Sequence, residues 1–497
     1  MKSSEKEFGK KTSVAFVAQI VGQIVNMLFV VIVGRLLGAD IYGEVLFVFT
    51  ILNFCMALTK FGLVNSLVAF IARGNITIEQ KRWIVQRALF ISSGLSIFCI
   101  VVLFMGRSCV HFLSGDTVLT DGLFVAMLPF ILCQTVIEVT SAVIRGSKDI
   151  KRHYIGSIVL GNFLRMVGVP IVFFVFNIRS VFCLVLTYYV SYILNLIYCV
   201  HYLCQKKLLF GMTQVFSWKE LLGQSFPMLF TGMVVILNRE IDTYMVGYFM
   251  ASANVAIYGL AVSVGNFSHF GLNAVNSIFA PLISELYHAD KKDELKAIYS
   301  RGTKWITVLN VLILGMVLVF ADDIMRLAGD EFAVGGIVLV VVMFGQLVNS
   351  AVGSVGFLNS MTGHPKCNLM ATTTALLSNV LLNLLLIQDY GMIGVGVASA
   401  ASVAINNIVN FIFMYRNLHM HPYNKKYIGI FATLLLTVPV LYGLRVILDI
   451  NFFIRLIICG IIYVAIFAVG VYILVCDQEE KDMIKKMFTR VYKIVRR

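Results

Sequence analysis

The chain has 497 residues, 59% of them hydrophobic and 13% charged. That balance excludes an ordinary water-soluble protein, and 7 prolines with few long polar stretches leave no room for a large soluble domain. The formal net charge of +14 would suggest a nucleic-acid partner in a soluble chain, but here the cations fall between apolar runs, so the charge reads as membrane topology and no nucleic-acid partner is expected.

Residues 1–12 are polar and basic, and no small-residue cleavage site follows, so the first apolar run is expected to stay as an anchor. Fourteen apolar segments of spanning length then succeed one another, at about 13–37, 42–72, 84–105, 119–144, 154–177, 180–203, 222–249, 255–283, 303–321, 333–361, 368–388, 392–415, 427–447 and 453–476. A basic amphipathic segment, about 478–497, closes the chain. The expected fold class is therefore an all-α polytopic membrane protein of about 14 transmembrane helices. With both termini cytoplasmic, 31 of the 40 Lys and Arg fall in inner segments, while the outer loops are acidic (Asp40, Asp116, Asp322, Asp323, Asp330, Glu331, Asp389). A miscounted helix before the middle would invert every later loop and destroy this asymmetry. The expected location is the inner (cytoplasmic) membrane. All loops are short, which argues against a membrane glycosyltransferase or polymerase with an extramembrane catalytic loop.

The chain also repeats. Ile41-Tyr42-Gly43 matches Ile257-Tyr258-Gly259, with Tyr42 and Tyr258 216 residues apart, while Gly146 and Gly363, and Asn162 and Asn379, are 217 apart. Two halves of six spans are expected, an N-lobe over 1–207 and a C-lobe over 215–420, with two extra spans at 427–476. An even number of spans makes the repeat parallel, with a cavity expected between the lobes.

The stretch Leu221 to Met250 is long enough to cross a bilayer, yet it contains Asn238-Arg239-Glu240-Ile241-Asp242. A charge at membrane depth costs about 2.5–3.5 kcal/mol, so such groups face a partner or a wet cavity. Arg239 and Asp242 share a helix face and can pair; the helix is expected to line a polar pathway, and the alternative is a self-neutralised Arg–Asp pair that only locks helices together. Lys60 and Arg165 are the other deep cations, able to neutralise an acid or to attract an anionic substrate. Asp242, Glu240 and Glu138 are the deep acids and the candidates for proton or sodium coupling; for Glu138 the alternative is a pair with Arg145. Gln19, Gln23 and Asn26 fall on one broad face of the first span, suited either to hydroxyl-rich ligands or to helix packing. His269 near Asn266 is either a proton site or a hydrogen-bonded packing residue, and Gly353-Ser354-Val355-Gly356 is either a bend or a close packing contact. The 10 cysteines are scattered among apolar residues without a CxxC or His/Cys cluster, so no metal and no cofactor is expected. No P-loop is present, and no catalytic residue is proposed.

Residues Gly363 to Ser402, GHPKCNLMATTTALLSNVLLNLLLIQDYGMIGVGVASAAS, resemble a stretch of the Wzx-type polysaccharide flippases: a basic turn after Gly, an Asn-x-x-x-Asn helix, then Tyr-Gly-x-x-Gly into a small-residue helix. Gly34-Arg35-Leu36-Leu37-Gly38 through Tyr42-Gly43 looks like that family's first outer turn, and Arg239 to Asp242 through Val246-Gly247-Tyr248-Phe249 like its seventh span. The wider superfamily also holds MATE multidrug exporters and lipid II flippases. The resemblance implies two six-helix lobes with alternating access and a central cationic cavity that includes Arg239 and Asp242. It implies a substrate of polyprenyl-diphosphate-linked anionic oligosaccharide, moved to the outer leaflet for cell-surface polysaccharide such as O-antigen. A polysaccharide polymerase and a chain-length regulator are candidate partners. The lipid II flippases carry an arginine-rich first span, and this chain has Gln19, Gln23 and Asn26 there instead. The alternatives are a MATE-type cation exporter, which would prefer an acidic, aromatic-lined cavity, and a membrane glycosyltransferase or polymerase.

Overall fold

The computed structural model describes residues 2–73, 76–108, 121–147 and 149–482. Every regular element among them is helical. In chain order they are α1 (Lys2–Thr59), α2 (Leu63–Ala72), α3 (Ile78–Met105), α4 (Asp121–Met127), α5 (Pro129–Gly146), α6 (Ile150–Tyr154), a π-helix over Ile155–Phe163, and α7 (Leu164–Val175). There follow α8 (Val181–Gln205), α9 (Trp218–Phe249), α10 (Ser252–Asn266), α11 (His269–His288), α12 (Lys292–Met325), α13 (Gly336–Val352) and α14 (Val355–Met361). The series ends with α15 (Pro365–Leu418), α16 (Lys426–Ile447) and α17 (Phe452–Leu474). Eleven described helices are long and apolar enough to cross a membrane. The chain is an all-helical, multi-pass membrane protein.

Two of the predicted breaks, at 37–42 and 388–392, fall at glycine kinks inside long helices. Segments 13–37 and 42–59 lie on either side of a kink in α1 at Gly38 (φ +82°), the rest of segment 42–72 forms α2 after Gly62 (φ +67°), and segments 368–388 and 392–415 lie on either side of a kink in α15 at Gly391 (φ +54°). A positive φ of this kind is open to glycine at little cost. Segment 255–283 divides into α10 and α11, and segment 333–361 breaks at Gly353 (φ +71°), a bend. Most of the basic tail at 478–497 lies outside the described residues.

The chain forms two compact units, one of Met1–Val264, Ala328–Phe332 and Thr372–Ser399, the other of Gly265–Leu327, Ala333–Ala371 and Ala400–Arg497. In the first unit, α2, α3, α5, α8 and the start of α9 bury a common core that includes Phe70, Trp83, Val139, Tyr202 and Leu221. Its polar end is pinned by Arg82, which is buried and donates to the carbonyl of Lys207 (2.7 Å) and to that of Met212. Those backbone acceptors hold the 206–217 connection against the bundle. α3 starts with a capping box, Thr77 and Gln80 each bonding the other's backbone N–H.

In the second unit, α16 and α17 pack on α12 through Phe320, Leu441, Tyr463 and Phe467. The interface is closed at one end by Asp323, which Arg445 (3.3 Å) and Arg455 (3.4 Å) both reach. At the other end buried Lys304 binds Glu480 (2.7 Å) and Asp477 (3.4 Å). Burial works to raise the carboxyls of Asp477 and Glu480. Hydrogen bonds from Lys426 to the first and from Lys304 to the second outweigh it, so both are held below the usual carboxylate range. His269 sits in this unit 3.4 Å from the Asn349 amide, a hydrogen-bonded packing position.

Candidate functional site

Two polar groups are built into the apolar helices of the first unit. The first is centred on Asp242. α9 is apolar on most of its length, and Asp242 is only 7% exposed. Its carboxylate is caged by neutral donors. The Tyr258 hydroxyl from α10 donates at 3.1 Å, and the amides of Asn379 and Asn383, one turn apart on α15, donate at 2.9 and 2.8 Å. Ser399 adds a further hydrogen bond. Asn383 also donates to Oδ1 of Asn379 (2.9 Å), while its own buried Oδ1 has no protein partner. The cluster thus presents a carboxylate, two amide oxygens and two hydroxyls.

The expected Arg239–Asp242 pair is corrected by this geometry. The Arg239 side chain is 64% exposed and its Nε lies 2.9 Å from Glu240. Glu240 in turn accepts from Asn53 (3.1 Å) and Thr50 (3.5 Å) of α1. Three-residue spacing brings two side chains to neighbouring positions on a helix, but partners from other helices decide where each one turns. Asp242, already satisfied by amides and hydroxyls, has no need of the guanidinium.

The second group lines a cavity of about 300 Å³ walled by α5, α6, the π-helix, α7 and α8. Its polar residues include Glu138, His153, Asn162, Arg165, Tyr192 and Asn195. The π-helix explains the position of Arg165. Such wide turns interrupt the α-helical register and recur at functional sites, and here the turn ends two residues before Arg165. The guanidinium donates back to the Gly161 carbonyl and to Asn162 Oδ1 (2.9 Å). It lies 4.8 Å from the ring centre of Tyr188, and Tyr192 is 6.0 Å away. That is cation–π geometry, which holds a charge in place without neutralising it. His153 Nδ1 meets the Ser141 hydroxyl at 2.8 Å.

Glu138 pairs with Lys60 at 2.6 Å rather than with Arg145, and also accepts from Gln134 (3.1 Å). Lys60 follows the end of α1 in a turn. Of its two expected uses, neutralising an acid is the one the geometry realises. Gln19 and Asn26 are exposed and Gln23 is half-buried, and none of the three lines the cavity. The structure therefore brings Arg165 and Glu138 into one cavity with Lys60 beside it. It places Asp242 in a separate buried cage and leaves Arg239 outside both. Tyr258, Asn379, Asn383, Ser399, His153 and Asn195 were not among the expected site residues. The signal for the asparagines was in the sequence: two amides one helical turn apart in an otherwise apolar run.

Comparison with known proteins places these groups in context. The model of a family described as polysaccharide biosynthesis protein matches residues 32–334. The "Probable low-salt glycan biosynthesis flippase Agl15" of Haloferax volcanii is 23% identical over 216 residues, covering 43% of this chain and 46% of that protein. The "Probable flippase AglR" of the same organism is 27% identical over 173 residues, covering 34% of this chain and 36% of that protein. The chain thus spans about half the length, or less, of these curated relatives. Among solved structures, the lipid II flippase MurJ in an inward closed conformation superposes with a TM-score of 0.69 at 14% identity, over 92% of this chain and 98% of that one. An inward-facing multidrug resistance MATE family transporter gives 0.66 at 16% identity, over 80% of this chain and 94% of that one. At these identities the likeness establishes the fold.

Proposed function

The chain belongs to the polysaccharide biosynthesis protein family, and from that premise we propose that it is a non-enzymatic flippase for a polyprenyl-diphosphate-linked oligosaccharide. The direction is from the cytoplasmic to the outer leaflet of the cytoplasmic membrane, with both termini in the cytoplasm. The observation that carries this reading is Arg165, a guanidinium held by Tyr188 and Asn162 beside a polar cavity within an apolar bundle. A diphosphate and its sugars cannot cross about 30 Å of hydrocarbon unaided. Arg165 offers a fixed fork to phosphate oxygens, and Asn162, Asn195 and Gln134 offer amides to sugar hydroxyls, while the lipid tail stays in the bilayer. In the same reading the face of Gln19, Gln23 and Asn26 meets the sugars, and rocking of the halves 1–207 and 215–420 exposes the head group outside. A polysaccharide polymerase and a chain-length regulator would receive the product.

Asp242 is the proposed coupling group. Its buried carboxylate, held by amide and hydroxyl donors, is a site for a proton, and a small hard cation would bind there only with the amides turned to present their oxygens. Glu240 and Glu138, each already bound to a cation, are the weaker candidates. A cation exporter is disfavoured, because Lys60 and Arg165 outnumber Glu138 around the cavity.

The test is flipping of a lipid-linked oligosaccharide by the purified protein in vesicles, with proton and sodium gradients imposed in turn. Arg165→Gln should abolish most transport. Insensitivity to both gradients would remove the coupling role of Asp242, and export of cationic dyes without lipid transport would replace the whole reading.

A further inference from the structure

A second pocket lies apart from both groups. It has a volume of about 320 Å³ and shares no lining residue with the cavity around Arg165. Its walls are Lys151 and Arg152 of α6 and Tyr198, His201, Tyr202 and Gln205 of α8. The four α8 residues recur at helical spacing, so one face of that helix forms a wall. The pocket lies at the end of α8 from which Lys206 and Lys207 continue, the side that the Lys and Arg distribution assigns to the cytoplasm.

Arg152 is held in place on three sides. Nη1 donates to Gln205 Oε1 (2.9 Å), Nε lies 3.5 Å from Asp149, and the guanidinium stands 5.4 Å from the ring centre of Tyr202. Tyr198 fixes the helix end by donating to the Arg152 carbonyl at 3.1 Å. Asp149 offsets one positive charge at a loose distance. Lys151, by contrast, is exposed and has no acidic partner among the described residues. A basic, tyrosine-walled recess between two spans at the cytoplasmic interface matches the chemistry of an anionic lipid head group: phosphate for the cations, and tyrosines where hydrocarbon meets water.

We propose that this pocket binds a phosphate-bearing anion, with Lys151 supplying the uncompensated charge and Arg152 the oriented donors. The ligand class is the phosphodiester head group of an inner-leaflet lipid, and free phosphate is the other source of the same chemistry. The inference does not rest on the flippase reading, and it assigns a role to residues which that reading leaves unused. Arg152 is followed directly by His153, so one turn contributes to both cavities.

The experiment uses the full chain purified in detergent and reads bound lipid by native mass spectrometry. The probes are phosphatidylglycerol, phosphatidylcholine and inorganic phosphate. Phosphatidylglycerol should be retained about tenfold over phosphatidylcholine, and Lys151→Gln should lower that retention about fivefold. Lys151 touches no described partner, so the fold does not depend on it. Lys291→Gln, an exposed cation elsewhere, should change nothing. Displacement of phosphatidylglycerol by millimolar inorganic phosphate would assign a free anion to the pocket; failure to displace it would assign the lipid. Equal retention of the two lipids, or unchanged retention in Lys151→Gln, would overturn the proposal.

Discussion

The two polar groups of the first unit are centred on opposite charges, the carboxylate of Asp242 and the guanidinium of Arg165. The 216-residue offset that relates Tyr42 to Tyr258 also relates Asn26 to Asp242, and Asn162 matches Asn379 at an offset of 217. In the later half, tyrosine and asparagine converge on a buried carboxylate. In the earlier half, Asn162 accepts from the Arg165 guanidinium, which stands over Tyr188. The asparagines related by the 217-residue offset thus serve an anion at one site and a cation at the other. An amide makes this exchange simple, because it donates through nitrogen and accepts through oxygen. What separates the two regions is burial: Asp242 is only 7% exposed inside its cage, whereas Arg165 lines a cavity of about 300 Å³. The proposed function assigns them distinct tasks, a small ion or proton to Asp242 and an anionic head group to Arg165.

The largest effect is expected at Asp242. Asp242→Ala strands the amides of Asn379 and Asn383 in a buried site, at about 1–3 kcal/mol for each unpaired group, so the melting temperature in detergent should fall and transport should be lost. Asp242→Asn installs the residue that the first half carries at position 26. It should keep the fold and lose gradient dependence; full gradient dependence in that variant would erase the proposed division of tasks. Next is Arg165→Lys, which retains charge but not the planar fork. Binding of the lipid-linked substrate should weaken about tenfold, with Arg165→Gln weaker still. Equal binding by the two variants would mean that the fork does no recognising.

A smaller effect is expected for Lys60 and Glu138. Their side chains are 17% and 33% exposed, so a double-mutant cycle on thermal stability should give a coupling of about 0.5–1 kcal/mol. A much larger coupling would make the pair a structural lock comparable to the Asp242 cage. The smallest effect comes from a region outside both groups. Asp477 and Glu480 are held below the usual carboxylate range by Lys426 and Lys304. Acids with depressed folded values add stability above the unfolded value of about 4 for Asp or Glu, and lose it as pH falls through the folded value. Melting temperature should therefore drop at acid pH, and Glu480→Gln should flatten that drop without altering transport at neutral pH.

Membrane class and the helical runs were legible because hydrocarbon imposes one rule on every residue in a span: apolar side chains face lipid and polar ones must find company. The Asn-x-x-x-Asn spacing of Asn379 and Asn383, and the offset linking Tyr42 to Tyr258, were visible for the same reason. The identity of the company was not. Asp242 is 137 and 141 residues from its two amide donors, and Lys60 is 78 residues from Glu138. Periodicity fixes which face of a helix a side chain leaves from and is silent on which other helix stands opposite. For that reason Arg239 and Asp242, neighbours in the chain, part company in the fold, and a π-helix that no composition announces brings Arg165 to its cavity.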